Sequence, residues 1–237
     1  VEWPILAGLP PADRRQVLEG ARRRRFAPDE VLFHQGDPAA SLHLVTTGRV
    51  AVRLMTAGGE SFTVDVLAPG DVLGELALLV PGATRSATAV ALEPTETLVL
   101  DRSVFDRLRR EVPGVTEVLI RLLVDRVRHL DARLVEALYV QADVRVLRRL
   151  LELTTMYGPV VPLRQEDLAG LAGTTRASVN RVLRRMERSG AVALGRARVE
   201  VLDGAAVARA AGLPPGPPGP PGPAGPPGRR HHLPSAP

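Results

Sequence analysis

The hydrophobic pattern of this chain passes from strand-like to helical near Asp101-Arg102-Ser103, and that change constrains most of what it can fold into. Between about residues 24 and 100, short runs rich in Val, Leu, Phe and Thr alternate with turn signals at Pro28-Asp29, Gly36-Asp37, Thr47-Gly48, Gly58-Gly59 and Pro69-Gly70-Asp71. Strand-like runs spaced about 8–12 residues apart predict an antiparallel sandwich or barrel. After Ser103 the period is helical: a short helix to about Glu111, a break at Pro113-Gly114, then an unbroken pattern to about Val140. Ile120, Leu123, Val127, Leu130, Leu134 and Ala137 step by three and four, the spacing of a coiled-coil seam. A helix of ~25 residues spans ~37 Å. Its seam predicts a symmetric dimer; the alternative is one helix packed on its own barrel.

Residues 143–202 read as helix (Asp143 to about Tyr157), turn (Gly158-Pro159), helix (Gln165–Ala172), tight turn (Gly173-Thr174), helix (Thr175–Ser189) and a short hairpin through Gly195. This is a winged helix-turn-helix outline. Upstream of the strands, residues 10–20 predict a short helix ending at Gly20, and the run Arg22–Arg25 that follows is expected to be a solvated turn rather than a nucleic-acid site. From Gly212 onward Gly216, Gly219, Gly222, Gly225 and Gly228 recur at period three among prolines. Four such triplets are too few to nucleate a collagen-like helix, so the tail is expected to be polyproline II and largely disordered.

The 237 residues contain no Cys, which excludes disulfides, thiolate metal sites and a cysteine nucleophile. No stretch approaches the ~20 apolar residues of a membrane-spanning helix, and Val1–Pro10 lacks the basic start and apolar core of a leader. The expectation is a soluble, cytoplasmic protein. Residues 1–142 hold 17 Arg against 19 acids, whereas residues 143–209 hold 12 Arg against 7. A basic second part suits a polyanion partner. Paired carboxylates, metal-ligand spacings and a nucleophile elbow do not occur, so neither an enzyme nor a metal site is expected; the adjacent His231-His232 lies in the tail.

The segment Gly70-Asp71-Val72-Leu73-Gly74-Glu75-Leu76, followed by Thr84-Arg85-Ser86-Ala87, places an acid and a base ten residues apart after a glycine. A helical turn starting at Gly74-Glu75 would aim free backbone N–H groups at an anion, and Gly74 would let that anion approach closely. Arg85 can pair with phosphate oxygens, Ser86 can donate to the same group, and Glu75 suits a ribose hydroxyl. The alternative is a structural Glu75–Arg85 ion pair closing a loop.

Gly74, Glu75 and Leu76, with Arg85 and Ser86, match the phosphate-binding cassette of the cAMP receptor protein/fumarate-nitrate regulator (Crp/Fnr) family of bacterial transcription factors, which the chain resembles over about residues 5–203. The resemblance implies an α+β fold: a cyclic-nucleotide-binding β-roll (jelly roll) over 1–112, a dimerisation helix over 113–140, and a winged helix-turn-helix over 141–209, followed here by the tail 210–237. It implies a cyclic nucleotide effector, cAMP before cGMP, with double-stranded DNA and a second copy as partners, RNA polymerase as a further candidate, and no membrane. The alternative is the same DNA-binding dimer with a ligand-independent or differently liganded β-roll, since the family also has haem, iron–sulfur and ligand-free members. One departure bears on the base. The family's cAMP-binding archetype carries adjacent Thr and Ser on the long helix that contact the adenine amino group from the two subunits, and the ungapped counterparts are Arg133 and Leu134. Arg is donor-only and cannot accept from that amino group, but its fork fits the O6/N7 edge of guanine.

On the second helix of the helix-turn-helix, Val179, Val182 and Leu183 are expected inward. Thr175, Arg176, Ala177, Ser178, Asn180, Arg181, Arg184 and Arg185 then remain for DNA, with Arg for guanine and Thr or Ser for phosphates. The family's Arg-Glu-Thr is here Arg176-Ala177-Ser178, so the acceptor for cytosine is missing.

Overall fold

The computed structural model describes residues 3, 6–75, 80, 82–112 and 114–214. Helix α1 (Pro11–Glu19) precedes eight strands: β1 (Arg22–Phe26), β2 (Val31–Phe33), β3 (Ser41–Thr47), β4 (Val50–Met55), β5 (Ser61–Leu67), β6 (Val72–Leu73), β7 (Thr88–Ala91) and β8 (Thr95–Asp101). They form two antiparallel sheets, β1-β8-β3-β6 and β2-β7-β4-β5, as the turn-punctuated sequence predicts. Phe26, Leu32, Val45, Val50, Leu73, Ala89 and Ala91 fill the space between them.

On the outer face of the first sheet, α1 and the next helices, α2 (Arg102–Glu111) and the start of α3 (Gly114–Tyr139), pack through Val17, Phe105, Leu108, Val115, Val118 and Leu119. Trp3 closes this cluster and donates from Nε1 to the Val45 carbonyl at 3.1 Å. Beyond Leu119, α3 keeps to the barrel through Arg126, which meets Asp65 of β5 at 2.8 Å, while Ile120, Val127, Leu130 and Leu134 are each more than half exposed. The apolar seam therefore has no partner within the described part of the chain. Among the described residues no helix is long and apolar enough to cross a membrane.

The run Arg22–Arg25 corrects its expected place. It is not a turn but the body of β1, an edge strand whose register sets Arg22 opposite Val99 and Arg25 opposite Glu96. An edge strand needs partners on one side only, and charged side chains there discourage pairing with another chain. Acids on the neighbouring strand complete the arrangement: Arg22 meets Asp101 at 3.2 Å, and Arg23 and Arg25 share Glu96 at 2.7 and 2.9 Å.

Helix α4 (Ala142–Tyr157), β9 (Val160–Val161), α5 (Gln165–Leu171), α6 (Arg176–Arg188), β10 (Val192–Gly195), β11 (Arg198–Val201) and α7 (Gly204–Ala210) make the second unit, with β9 added to the expected hairpin in the order β10-β11-β9. Its core holds Val146, Leu147, Leu150, Val179, Val182 and Leu183, all essentially inaccessible. Helix α7 was not anticipated; Asp203 caps it by accepting from the Ala206 N–H at 2.9 Å. The expected polyproline tail falls mostly on 215–237, outside the described residues.

The two units touch. The β4–β5 ladder slips register between Val52 and Arg53, and there Gly170 of α5 lies against the Thr63 backbone: a Cβ would come within 2.5 Å of the Thr63 oxygen and 2.7 Å of its nitrogen. Buried Asp167 accepts from Thr63 Oγ1 at 2.7 Å and from Arg53 Nη2 at 3.2 Å. Arg49 stacks 3.9 Å over the Tyr157 ring, donates to the Met156 carbonyl and pairs with Glu93 at 2.6 Å. Replacing a helical Gly by Ala ordinarily favours a helix, by up to about 1 kcal/mol in a helix interior. We expect Gly170→Ala to do the reverse, loosening this contact because β5 backbone cannot yield as a flexible side chain would. Limited proteolysis between Tyr139 and Ala142 should accelerate, and an unchanged cleavage rate would mean that the units do not depend on this approach.

Candidate functional site

Between the β-roll and α3 lies a cavity of about 580 Å³, closed on its far side by Gly170–Gly173 of the second unit. That volume is in the range of small-molecule sites. Its lining is mainly apolar, with charges at particular points.

Arg85 is the first of these. It is 5% exposed, and its guanidinium lies 4.0 Å over the Phe33 ring. Nη2 donates to Ser41 Oγ at 3.0 Å and Nη1 to the Gly74 carbonyl at 3.3 Å, while Nε is buried with no partner among the described residues. Burial pulls its pKa below the ordinary arginine value, and the nearby charges of Asp37 and Glu75 oppose this. Neither acid forms an ion pair with it among the described residues, so the structural Glu75–Arg85 bridge is not what the fold uses. A buried guanidinium held only by neutral groups keeps its charge available for an anion.

Gly74 stands beside it with φ +85°, and a Cβ there would fall on Arg85 Nη1 and lie 3.0 Å from the Ser41 carbonyl. Only glycine allows this approach. Glu75 is buried in the same wall, and burial raises its carboxyl pKa against the lowering effect of its own and Gly74's backbone N–H groups, Arg126 and Arg85. Ser86 sits exposed at the rim and lines the cavity. Leu76, the remaining cassette residue, lies outside the described residues.

Helix α3 supplies the opposite wall through Arg126, His129, Leu130 and Arg133. Arg133 Nε donates to His129 Nε2 at 3.2 Å, Nη2 faces Glu152 of α4 at 3.5 Å, and Nη1 is buried without a partner. His129 accepts through Nε2 and is therefore neutral in this pair. Desolvation lowers its pKa, Arg133 and Arg126 lower it further, and Asp65 and Glu152 oppose. Leu134 is not brought to the cavity: one residue on from Arg133 turns it onto the exposed seam. Sequence reasoning missed Phe33, Ser41 and His129. The first two reach Arg85 only because the barrel closes, so no spacing announces them. Arg126, His129 and Arg133, stepping by three and four on one helix, did carry a signal.

The second candidate face is α6. Gly173, at φ +57°, makes the turn, and Thr175 caps the helix by accepting from the Ser178 N–H at 3.2 Å. Val179, Val182, Leu183 and Met186 are buried. Arg176, Ala177, Asn180, Arg181 and Arg184 face solvent and Ser178 is half-buried. Arg176 meets Glu166 at 3.3 Å, Arg181 and Arg185 share Asp143 at 3.1 Å each, and Arg184 meets Glu187 at 2.7 Å. Exposed pairs of this kind contribute about 0–1 kcal/mol and yield readily to a phosphate.

Both units match domains of known proteins. Residues 23–111 match the cyclic nucleotide-binding domain, and residues 144–210 match the Crp-like helix-turn-helix domain. The chain is 38% identical over 203 residues to the cyclic AMP receptor protein of Thermus thermophilus, covering 85% of this chain and 94% of the relative. It is 25% identical over 215 residues to a CRP-like cAMP-activated global transcriptional regulator of Mycobacterium tuberculosis, covering 87% and 96%. The crystal structure of the Thermus thermophilus catabolite activator protein aligns at a TM-score of 0.53 and 37% identity over 88% of this chain and 98% of that one. With the β-roll, the long helix and the winged helix in the same order, the chain belongs to the Crp/Fnr family of ligand-responsive transcription regulators.

Proposed function

We propose that this protein is a cytoplasmic, homodimeric regulator that binds a cyclic nucleotide in the β-roll cavity and DNA through α6. The observation that carries the reading is Arg85: a buried guanidinium that, among the described residues, has no ion-pair partner and no acceptor for Nε, beside a glycine whose missing Cβ lets the guanidinium approach. A cyclic phosphate supplies the missing acceptor, Ser86 a further donor, and Glu75 an acceptor for a ribose hydroxyl. The exposed seam of α3 is covered by the same seam of a second copy, which sets two α6 helices for successive major grooves. Domain limits of 1–112, 113–140 and 141–209 serve this reading.

cAMP is the effector we favour, because the relatives named above are a cyclic AMP receptor and a cAMP-activated regulator. Arg133 nevertheless offers the base only donors, and Leu134 offers nothing in the cavity. A site that cannot accept from an amino group cannot strongly reject a base lacking one.

Arg85→Ala should abolish cyclic nucleotide binding in calorimetric titration while leaving the melting curve intact. Gly74→Ala should do nearly the same by displacing the guanidinium, and unchanged affinity in both would remove the site. For the wild type, cAMP and cGMP should bind within about tenfold of one another, about 1.4 kcal/mol, or cGMP the better; a hundredfold preference for cAMP would mean that another residue accepts from N6. On DNA, Arg176→Ala should relax preference at one base pair per half-site at about 1–3 kcal/mol, whereas Arg184→Ala should weaken all sequences alike. Footprinting on a pseudo-palindromic operator separates the two, and an asymmetric single half-site would contradict the dimer.

A further inference from the structure

Arg85 can reserve its charge for a ligand only if something other than a carboxylate holds it. Two acids lie close enough to influence it, Asp37 and Glu75, and a free guanidinium beside them would swing to make an ion pair that a ligand must then break. Instead its plane is fixed by three neutral contacts: the Phe33 ring, the Gly74 carbonyl and the Ser41 hydroxyl. Ser41 in turn lies 3.4 Å from Nε2 of His43, and His43 Nδ1 lies 3.2 Å from Thr97 Oγ1. His43 is 2% exposed, and its ring lies 5.7 Å from that of Phe33.

We propose that Ser41 and His43 are positioning residues for the anion site: a chain from the half-buried Ser41 hydroxyl through the buried His43 imidazole to the buried Thr97 hydroxyl that holds Arg85 away from its two acids and available to the ligand phosphate. The inference rests on the reading of Arg85 as the phosphate-binding residue.

The chain has a consistent donor order. With its proton on Nδ1, His43 donates to Thr97 Oγ1 and accepts at Nε2 from the Ser41 O–H, which leaves the Ser41 oxygen to receive Arg85 Nη2. This needs a neutral imidazole. Burial, first, and then the charges of Arg85, Arg24 and Arg22 hold the His43 pKa down at about 3, with only Asp101 opposing. The chain therefore does not titrate between pH 5 and 8. An Arg oriented before binding spares the ligand the ordering of a long side chain, a saving that appears directly in affinity.

The test uses the full chain, with calorimetric titration of cAMP and cGMP and the ¹⁵N signal of the Arg85 Nε–H, assigned by its absence in Arg85→Ala. Ser41→Ala should weaken both nucleotides about tenfold and broaden or shift the Arg85 signal at an unchanged melting temperature. Ser41→Thr, which keeps the hydroxyl, should restore both readouts. His43→Phe keeps the ring volume and removes the acceptor, and should reproduce the Ser41→Ala signature more weakly, so the proposal stays testable if Ser41→Ala folds poorly. Wild-type affinity and an unmoved Arg85 signal in Ser41→Ala and His43→Phe would overturn the positioning role while leaving the cavity's assignment intact. If the wild type binds neither nucleotide, the assignment of the cavity fails and this inference fails with it.

Discussion

A single uncompensated charge organises the first half of this molecule. Arg85 is carried into a wall of the barrel where water cannot solvate it fully, and a fold ordinarily avoids that cost by pairing the cation. Here the pairing is withheld. Gly74 lacks the Cβ that would displace the guanidinium, Phe33 offers its face, and Ser41 and the Gly74 carbonyl take two of five N–H donors. On the proposed reading, a ligand anion supplies the missing pairing to a guanidinium that these contacts already hold in place.

How much of this could be read from the sequence follows from how local each determinant is. The strands were legible because turn residues punctuate them, and α3 because its apolar steps run unbroken for some twenty residues. The Arg22–Arg25 run was misplaced because its meaning depends on β8: four arginines look like a solvated turn until Glu96 and Asp101 are set opposite them. Helix α7 has almost no apolar contrast, and it is the Asp203 cap and burial of Val207 against the core that define it. In the site, Gly74, Glu75, Arg85 and Ser86 lie close in sequence and were found together. Ser41 and His43, more than forty residues before Arg85, needed the β3–β8 pairing to bring Thr97 to them and the backbone bonds of Arg85 to Gly36 and Asp37 to bring the guanidinium.

The cavity belongs to both units, which is where its chemistry meets regulation. An effector shifts a population only by binding one arrangement better than another. The groups able to sense both the cavity and the second unit are few: Arg133 reaches Glu152 of α4, Arg149 binds Glu152 and Glu136, and Arg148 meets Glu136 at 3.0 Å. These five charges alternate in sign along the junction of α3 with α4. Arg133, Glu136 and Arg149 also line the cavity, so a change in what Arg133 contacts alters the balance holding α4.

The same junction explains why Arg145 is spent on backbone rather than on an acid. It donates to the carbonyls of Ala172 and Gly173 at 2.8 and 2.9 Å and to that of Val140 at 2.6 Å, tying the end of α3 to the turn that launches α6. Gly170–Gly173 close the cavity from above, and Thr175 begins the cap of α6 two residues later. The floor of the α6 turn and the lid of the cavity are therefore one segment. For the lid to lift, α5 must part from Thr63 and Asp167 must leave Arg53, a carboxylate too buried to go without a replacement partner. Separating α5 from the β-roll therefore means exchanging a discrete set of contacts, the Gly170 approach and the Asp167 pairs, rather than stretching them gradually.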